Sequence, residues 1–385
     1  MSSSSEGENR SPGVEMTLRK KTFFSLATVF FCLLAVELGL HAVAFVLSPG
    51  KGPAVRKSPQ VRVPWAKERL PAFYENPVVY EPFREWRMKK FSGEYIHISP
   101  DGIRKTYNPS FSNGQEIKKV FCFGGSTMWG SDARDEFTLP SLLSKKLNQD
   151  KPRFQVTNYG QCAYTLTQEV VHLTLLLKEG NIPDYVIFYD GVNDISSAYK
   201  SGEPGKIHDL AKIRLKMGGG GAYLWSQFAS FWEENCMIYR ALLTLRALLN
   251  KQAKTGRRPY SAEETQSLSD AIIADYVKNV RLVDALSKGF GFRYVFFWQP
   301  MLLTNAAPTE EELASRGWRN KGMVDFFRLT YEKAQKIQLP HFHNISRLLD
   351  GKRGTLYVDY CHLCEEGNEI VANEICQVFR KELGE

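Results

Sequence analysis

Cysteine and histidine are both scarce in this chain, at seven each among 385 residues. An odd number of cysteines in so long a sequence does not make a disulfide framework. Cys361 and Cys364 form a C-x-x-C around His362, without a second such pair; His341-Phe342-His343 is a weak companion, and no metal site is expected. Phosphate-binding signatures are also missing. No Gly-Lys-Ser/Thr and no G-x-G-x-x-G is present, so nucleotide binding lacks support and no cofactor is expected. The net charge is +8, but the basic residues are scattered. The densest groups, Arg19-Lys20-Lys21 and Arg87-Met88-Lys89-Lys90, lack the basic-aromatic layout of a nucleic-acid module. They read instead as a membrane-proximal basic surface. At 43% hydrophobic and 24% charged, most of the chain is expected to be globular, with core enough for one large domain or two small ones.

What is present begins with a long apolar run. Residues 1–21 start Ser-, Gly- and Glu-rich and are expected to be disordered and cytoplasmic. Thr22 to Leu47 is interrupted only by Glu37 and His41, and exceeds the roughly 20 apolar residues that a spanning helix needs. The basic cluster precedes it, which places the N-terminus in the cytoplasm and everything after Ser48 outside. A cleaved signal peptide ending near Ala42-Val43-Ala44 is the rival reading; length favours a retained signal anchor. Glu37 and His41 lie one helical turn apart and share a face, where they can share a hydrogen bond. Residues 48–92, rich in proline and basic residues, read as a tether.

Residues 93–385 are expected to form one domain. Short apolar runs alternate with amphipathic stretches from residue 118 onward. Strands are expected at 118–123, 153–160, 183–191, 292–300 and 354–360, and helices at 136–149, 165–180, 261–291 and 365–383. Continuous apolar strands separated by helices imply a parallel sheet covered on both faces, here a five-stranded flavodoxin-like three-layer α/β/α fold. In such sheets the functional residues gather outside the C-terminal strand ends.

Those ends carry Gly-Gly-Ser126-Thr, Asn-Tyr-Gly160, Asp-Gly-Val-Asn193-Asp194 and Asp359-Tyr-Cys-His362. Ser126, His362 and Asp359 are the residue types that acyl transfer from an ester requires: a nucleophile, a base and a carboxylate to orient the base. The N–H groups of Ser126 and Gly160 and the amide of Asn193 are candidate oxyanion donors. Each block alone has a plainer reading as a tight turn, a helix cap or a structural histidine. Taken together and in this order, the four blocks resemble those of the SGNH (GDSL-like) hydrolase superfamily, whose membrane-anchored bacterial members often carry glycine, as here at Gly125, where others have aspartate. The resemblance covers about residues 94–383 and implies esterase or lipase-type chemistry, sometimes carbohydrate O-deacetylation, without a cofactor.

Residues 196–262 interrupt the alternation. Gly218–Gly221 is a candidate hinge, followed by Tyr223, Leu224, Trp225, Phe228, Phe231 and Trp232 at near-helical spacing. The segment reads as a helical insertion or as an aromatic lid over the ester, with Trp298-Gln299-Pro300 also lining the pocket. The sequence reading is therefore a membrane-anchored, extracytoplasmic serine esterase acting on acyl esters of a glycan or lipid. An O-acyltransferase or a non-catalytic envelope scaffold are the alternatives. Substrate-binding residues are not legible.

Overall fold

The structure is a computed structural model that describes residues 17–47, 78–207, 210, 228–229, 231–233, 235–249, 260–315 and 321–384. Of the expected disordered segment 1–21, residues 1–16 lie outside the described residues and Leu18 to Lys21 are instead helical; the tether between 48 and 77, the glycine hinge at 218–221 and the lid candidates Tyr223, Leu224 and Trp225 also lie outside the described residues.

The chain divides into two compact units. One holds residues 1–54 and 215–258. Its helix α1 (Leu18–Leu47) is long and apolar enough over Leu18–Val43 to cross a membrane, at a mean hydropathy of 2.2. Among the described residues it also holds helix α6 (Met237–Leu249). The insertion thus belongs with the N-terminal helix and not with the α/β unit.

The second unit, 55–214 and 259–385, opens with two short antiparallel pairs, β1 (Val79–Glu81) with β2 (Glu85–Arg87) and β3 (Phe91–Ser92) with β4 (His97–Ile98). The main sheet contains β5 (Lys118–Gly124), β6 (Phe154–Asn158), β7 (Tyr185–Asp190), β8 (Arg293–Trp298) and β9 (Phe342–Asn344). Its order is β6-β5-β7-β8-β9 and every pairing is parallel. The connecting helices are α2 (Ser126–Trp129), α3 (Leu139–Leu147), α4 (Leu166–Lys178), α5 (Val192–Ser201), α7 (Ala262–Phe290), α8 (Glu310–Ser315), α9 (Lys321–Ala334) and α10 (Glu365–Leu383).

Alternating strand residues feed two cores, as a sheet covered on both faces requires. Phe121, Phe123, Val186, Phe188 and Phe296 pack toward α4, α5, α7 and α9, with the Phe188 and Phe296 rings stacked 4.4 Å apart. Val120, Cys122, Ile187, Val295 and Phe297 pack toward α3 and α10. The expected apolar stripe of α7 is buried at Ile272, Tyr276, Val280 and Val283. Ser261 and Glu264 form a capping box at its start, and Gly291 closes it in a left-handed conformation.

Two expectations are corrected. The fifth strand is β9, not 354–360; the latter contains only an isolated bridge between Tyr357 and Leu363. The tether does not extend to residue 92, since Val79–Glu81, Glu85–Arg87 and Phe91–Ser92 are strands of the α/β unit.

Candidate active site

β5 runs apolar into Gly124 and Gly125, and neither position has room for a side chain. A Cβ at 124 would lie 2.6 Å from Met128 Cβ and 2.8 Å from the Tyr189 carbonyl. One at 125 would lie 2.1 Å from the Asn193 side-chain nitrogen. Gly125 has φ −77°, so close approach, not a left-handed turn, selects glycine here. The Asn193 amide takes the space that a side chain at 125 would fill. Ser126 opens α2, a single turn that Gly130 closes at φ 88°. The serine is thus held by a one-turn helix at the C-terminal edge of the sheet.

The histidine block folds onto itself. Asp359 Oδ1 accepts the N–H groups of Cys361 and His362, both at 2.9 Å, and Val358 N–H donates to the His362 carbonyl at 2.8 Å. That turn sets Asp359 Oδ2 2.8 Å from His362 Nδ1, and His362 Nε2 stands 2.7 Å from Ser126 Oγ. Groups 236 positions apart in the chain therefore form one continuous hydrogen-bonded relay. Burial alone would push His362 down, but the Asp359 carboxylate outweighs it and holds the imidazole well above its ordinary range. Burial likewise pushes Asp359 up, while His362 and the two N–H donors hold it well below.

Asn193 sits in the first turn of α5 with its amide against Gly125. The Gly160 N–H is committed elsewhere: it donates to Asn158 Oδ1 at 3.0 Å, which removes it as an oxyanion donor. Three residues on, Ala163 adopts φ 64°, a strained conformation for a residue with a Cβ, and its N–H meets no acceptor among the described residues. The loop around it is pinned by Gln161 N–H to the Gly124 carbonyl at 3.0 Å, Met88 N–H to Gln161 Oε1 at 2.9 Å, and Trp86 Nε1 to the Cys162 carbonyl at 3.0 Å.

Sequence reasoning missed a second carboxylate. Asp132 Oδ2 comes within 4.0 Å of His362 Nδ1 and accepts the Ser131 hydroxyl at 2.8 Å, with its side chain 1% exposed. Its loop is fixed by the fully buried Arg104, which donates to Asp135 Oδ1 at 2.6 Å and to the Gly130 and Ala133 carbonyls at 2.9 and 2.8 Å. The available signal was the pair Asp132 and Asp135 just after the serine block, in a stretch otherwise destined for burial.

A third group of acids lies beneath Asn193. Glu169, Asp190 and Asp194 are buried together; burial raises the first two well above the carboxylate range and takes Asp194 to about 7. Neither Glu169 oxygen nor Asp190 Oδ2 meets a hydrogen-bond partner among the described residues, and burial beside one another favours the protonated form of both carboxyls. Asp194 Oδ1 accepts the Leu166 N–H at 3.0 Å at the start of α4.

Trp298 does not line a pocket. It is fully buried, its ring 2.8 Å from where a Cβ at Gly191 would stand, and Gln299 is 3% exposed with its Oε1 accepting from Thr127. All seven cysteines are free thiols. Asp359, Cys361 and His362 offer three donor atoms within 4.8 Å of one another. An ion there would compete for the Asp359–His362 contact, and Cys364 turns away to donate to the Thr355 carbonyl at 3.5 Å. The Cys361 thiol, 3.7 Å from His362 Nδ1, is pushed up to about 11 by burial and stays neutral. His341 and His343 instead face Glu382.

No family model matches the chain, and no curated protein does. Among solved structures, it is similar to a member of the lipolytic G-D-S-L family from Veillonella parvula, at 10% identity over 69% of this chain and 100% of that one, with a TM-score of 0.38. It is also similar to an acetylxylan esterase from Geobacillus stearothermophilus, at 15% identity over 70% and 96% with a TM-score of 0.34, and to a further acetyl xylan esterase, at 15% over 67% and 98% with a TM-score of 0.33. The chain's own features agree with the resemblance noted in its sequence: a parallel sheet in this order, the four blocks in this succession, and a serine, histidine and aspartate in hydrogen-bonding contact are the arrangement that a resemblance to the SGNH (GDSL-like) hydrolases implies.

Proposed function

We propose that the α/β unit is a serine esterase that hydrolyses carboxylic esters through an acyl-Ser126 intermediate. The observation that carries this reading is the unbroken relay from Ser126 Oγ through His362 to Asp359, at 2.7 and 2.8 Å. As Ser126 Oγ attacks the ester carbonyl, its proton passes to His362 Nε2, and Asp359 holds the resulting imidazolium. The N–H of Ser126, the Asn193 amide and the N–H of Ala163, in place of Gly160, are the donors for the developing oxyanion. His362 then protonates the leaving alcohol, and water, deprotonated by the same ring, releases the acid and restores Ser126.

The apolar helix α1, with Arg19, Lys20 and Lys21 in its first turn, supports a single-pass anchor with the esterase on the extracytoplasmic side. That location favours an O-acyl group on an envelope glycan or lipid as substrate. The test is covalent labelling with a fluorophosphonate, with p-nitrophenyl acetate turnover read in parallel. Wild type is expected to label and turn over, and Ser126→Ala to do neither; equal behaviour of the two would end the esterase reading.

A further inference from the structure

Glu37 is a carboxylate inside an apolar helix, where insertion costs about 2.5–3.5 kcal/mol. Within its own unit it has partners from the insertion. Its oxygens accept the N–H groups of Met237 and Ile238, the latter at 2.9 Å, and the Cys236 thiol at 3.5 Å. Cys236 Sγ in turn accepts the Tyr239 N–H at 3.4 Å. The first three N–H groups of α6 are therefore all satisfied, two of them by Glu37. His41 Nε2 stands 3.1 Å from the same carboxylate.

A helix start leaves orphan N–H groups that water ordinarily solvates. In hydrocarbon they must be met by protein, and a carboxylate meets them best because it also complements the positive end of the helix. The surroundings of this contact are apolar and uncovered. Phe228, Phe231, Trp232, Leu242 and Leu245 are between 40% and 59% exposed. The 13-residue α6 is about 20 Å long, too short for the roughly 30 Å hydrocarbon core. Residues 215–258 are flanked in sequence on both sides by the α/β unit, so with that unit on one side of a membrane, as proposed above, an element that enters the bilayer here must return to the same side. Glu37 stands ten residues before Leu47, about 15 Å from that end of α1, a depth that a 20 Å element reaches.

We infer that residues 228–249 form a re-entrant membrane element that lies among lipid acyl chains and is clamped to α1 by Glu37 at the helix break. This rests on the reading of α1 as a membrane anchor. The exposed Arg240 and Arg246 have stems long enough to carry their charges toward the headgroups. Of the aromatic residues assigned to a lid, Phe228, Phe231 and Trp232 then face lipid, and the Glu37 charge and the α6 N–H groups satisfy one another.

The experiment uses the full chain in phospholipid nanodiscs that contain a carbene-generating diazirine phospholipid, with peptide mapping of the photolabel. Label is expected in 18–43 and in 228–249. Label in 18–43 alone overturns the re-entrant element and leaves the anchor standing; label in neither overturns both. For the clamp, Glu37→Leu is expected to lose the 228–249 label while keeping that in 18–43, and Glu37→Gln, which keeps an acceptor oxygen, to retain both. An unchanged pattern in Glu37→Leu overturns the clamp. Turnover of a soluble ester in each preparation reports that the α/β unit is folded.

Discussion

His362 carries two carboxylates near one ring nitrogen, Asp359 at 2.8 Å and Asp132 at 4.0 Å. The base must be neutral to act, and its folded pKa is raised, so activity is lost as pH falls through that raised value. The acid limb of kcat/KM is expected above the ordinary histidine value of about 6.5. Removing either negative charge destabilises the imidazolium and moves the limb to lower pH. Asp359→Asn is expected to do so with a rate loss of about 10²–10⁴-fold, because the ring also loses its orienting partner. Asp132→Asn is expected to give a smaller shift with most of the plateau rate kept. A pH profile of Asp132→Asn that overlays wild type would assign Asp132 to loop structure alone. Gly125→Ala tests the other side of the site. Its Cβ would stand 2.1 Å from the Asn193 nitrogen, so the amide must move, and turnover is expected to fall about 10²–10³-fold. Circular dichroism should remain that of the wild type.

At the level of elements, long periodic stretches were legible in the sequence and short ones were not. α7 and α10 were read within a residue of their observed ends because their apolar stripes and caps repeat over many turns. The strand assigned to 354–360 failed for an identifiable reason. Leu356, Tyr357 and Val358 are buried as a strand would be, but the N–H groups of Leu356 and Tyr357 are taken by Glu312 Oε1 at 2.8 and 3.0 Å, not by a neighbouring strand. Burial is written in composition; the acceptor is chosen by tertiary structure. β9 has only three residues, too few to show alternation. Ser126, His362 and Asp359, which the structure brings into contact, are singled out by chain order and residue type, whereas the choice between the Gly160 and Ala163 N–H groups depends on which way one peptide faces.

The acids at the junction of α4, β7 and α5 give an element-scale prediction. A carboxyl whose folded pKa is raised weakens the fold as pH climbs from its unfolded value, about 4, through its folded one. Glu169 is such a group, so Glu169→Gln, which keeps the side chain's size and removes its ionisation, is expected to stabilise the domain. The gain should be absent near pH 4 and grow by about 1.4 kcal/mol per pH unit above it, until the folded value is reached. Thermal melts of the two proteins across this range check the slope; a variant destabilised at every pH would mean that the raised Glu169 carboxyl does not set the stability of this junction.

On the scale of the whole molecule, residues 78–92 connect a supposed tether to the chemistry. Met88 is 1% exposed and its N–H holds Gln161, while Trp86 holds the Cys162 carbonyl and its own carbonyl accepts the Tyr164 hydroxyl. The loop that carries Ala163 is thus braced by the segment immediately before the domain boundary that composition implies. A chain starting at residue 78 should hydrolyse a soluble ester in detergent as the full chain does. One starting at residue 93 loses Met88, Trp86 and both short strands that contain or precede them. Its stability is expected to drop by about 2–5 kcal/mol, the cost of emptying one large core site. Its kcat should fall as well, since the freed loop no longer fixes its strained N–H. Equal melting temperatures and equal kcat for the two chains would show that the loop keeps its conformation without this brace, and would move the domain boundary back to residue 93.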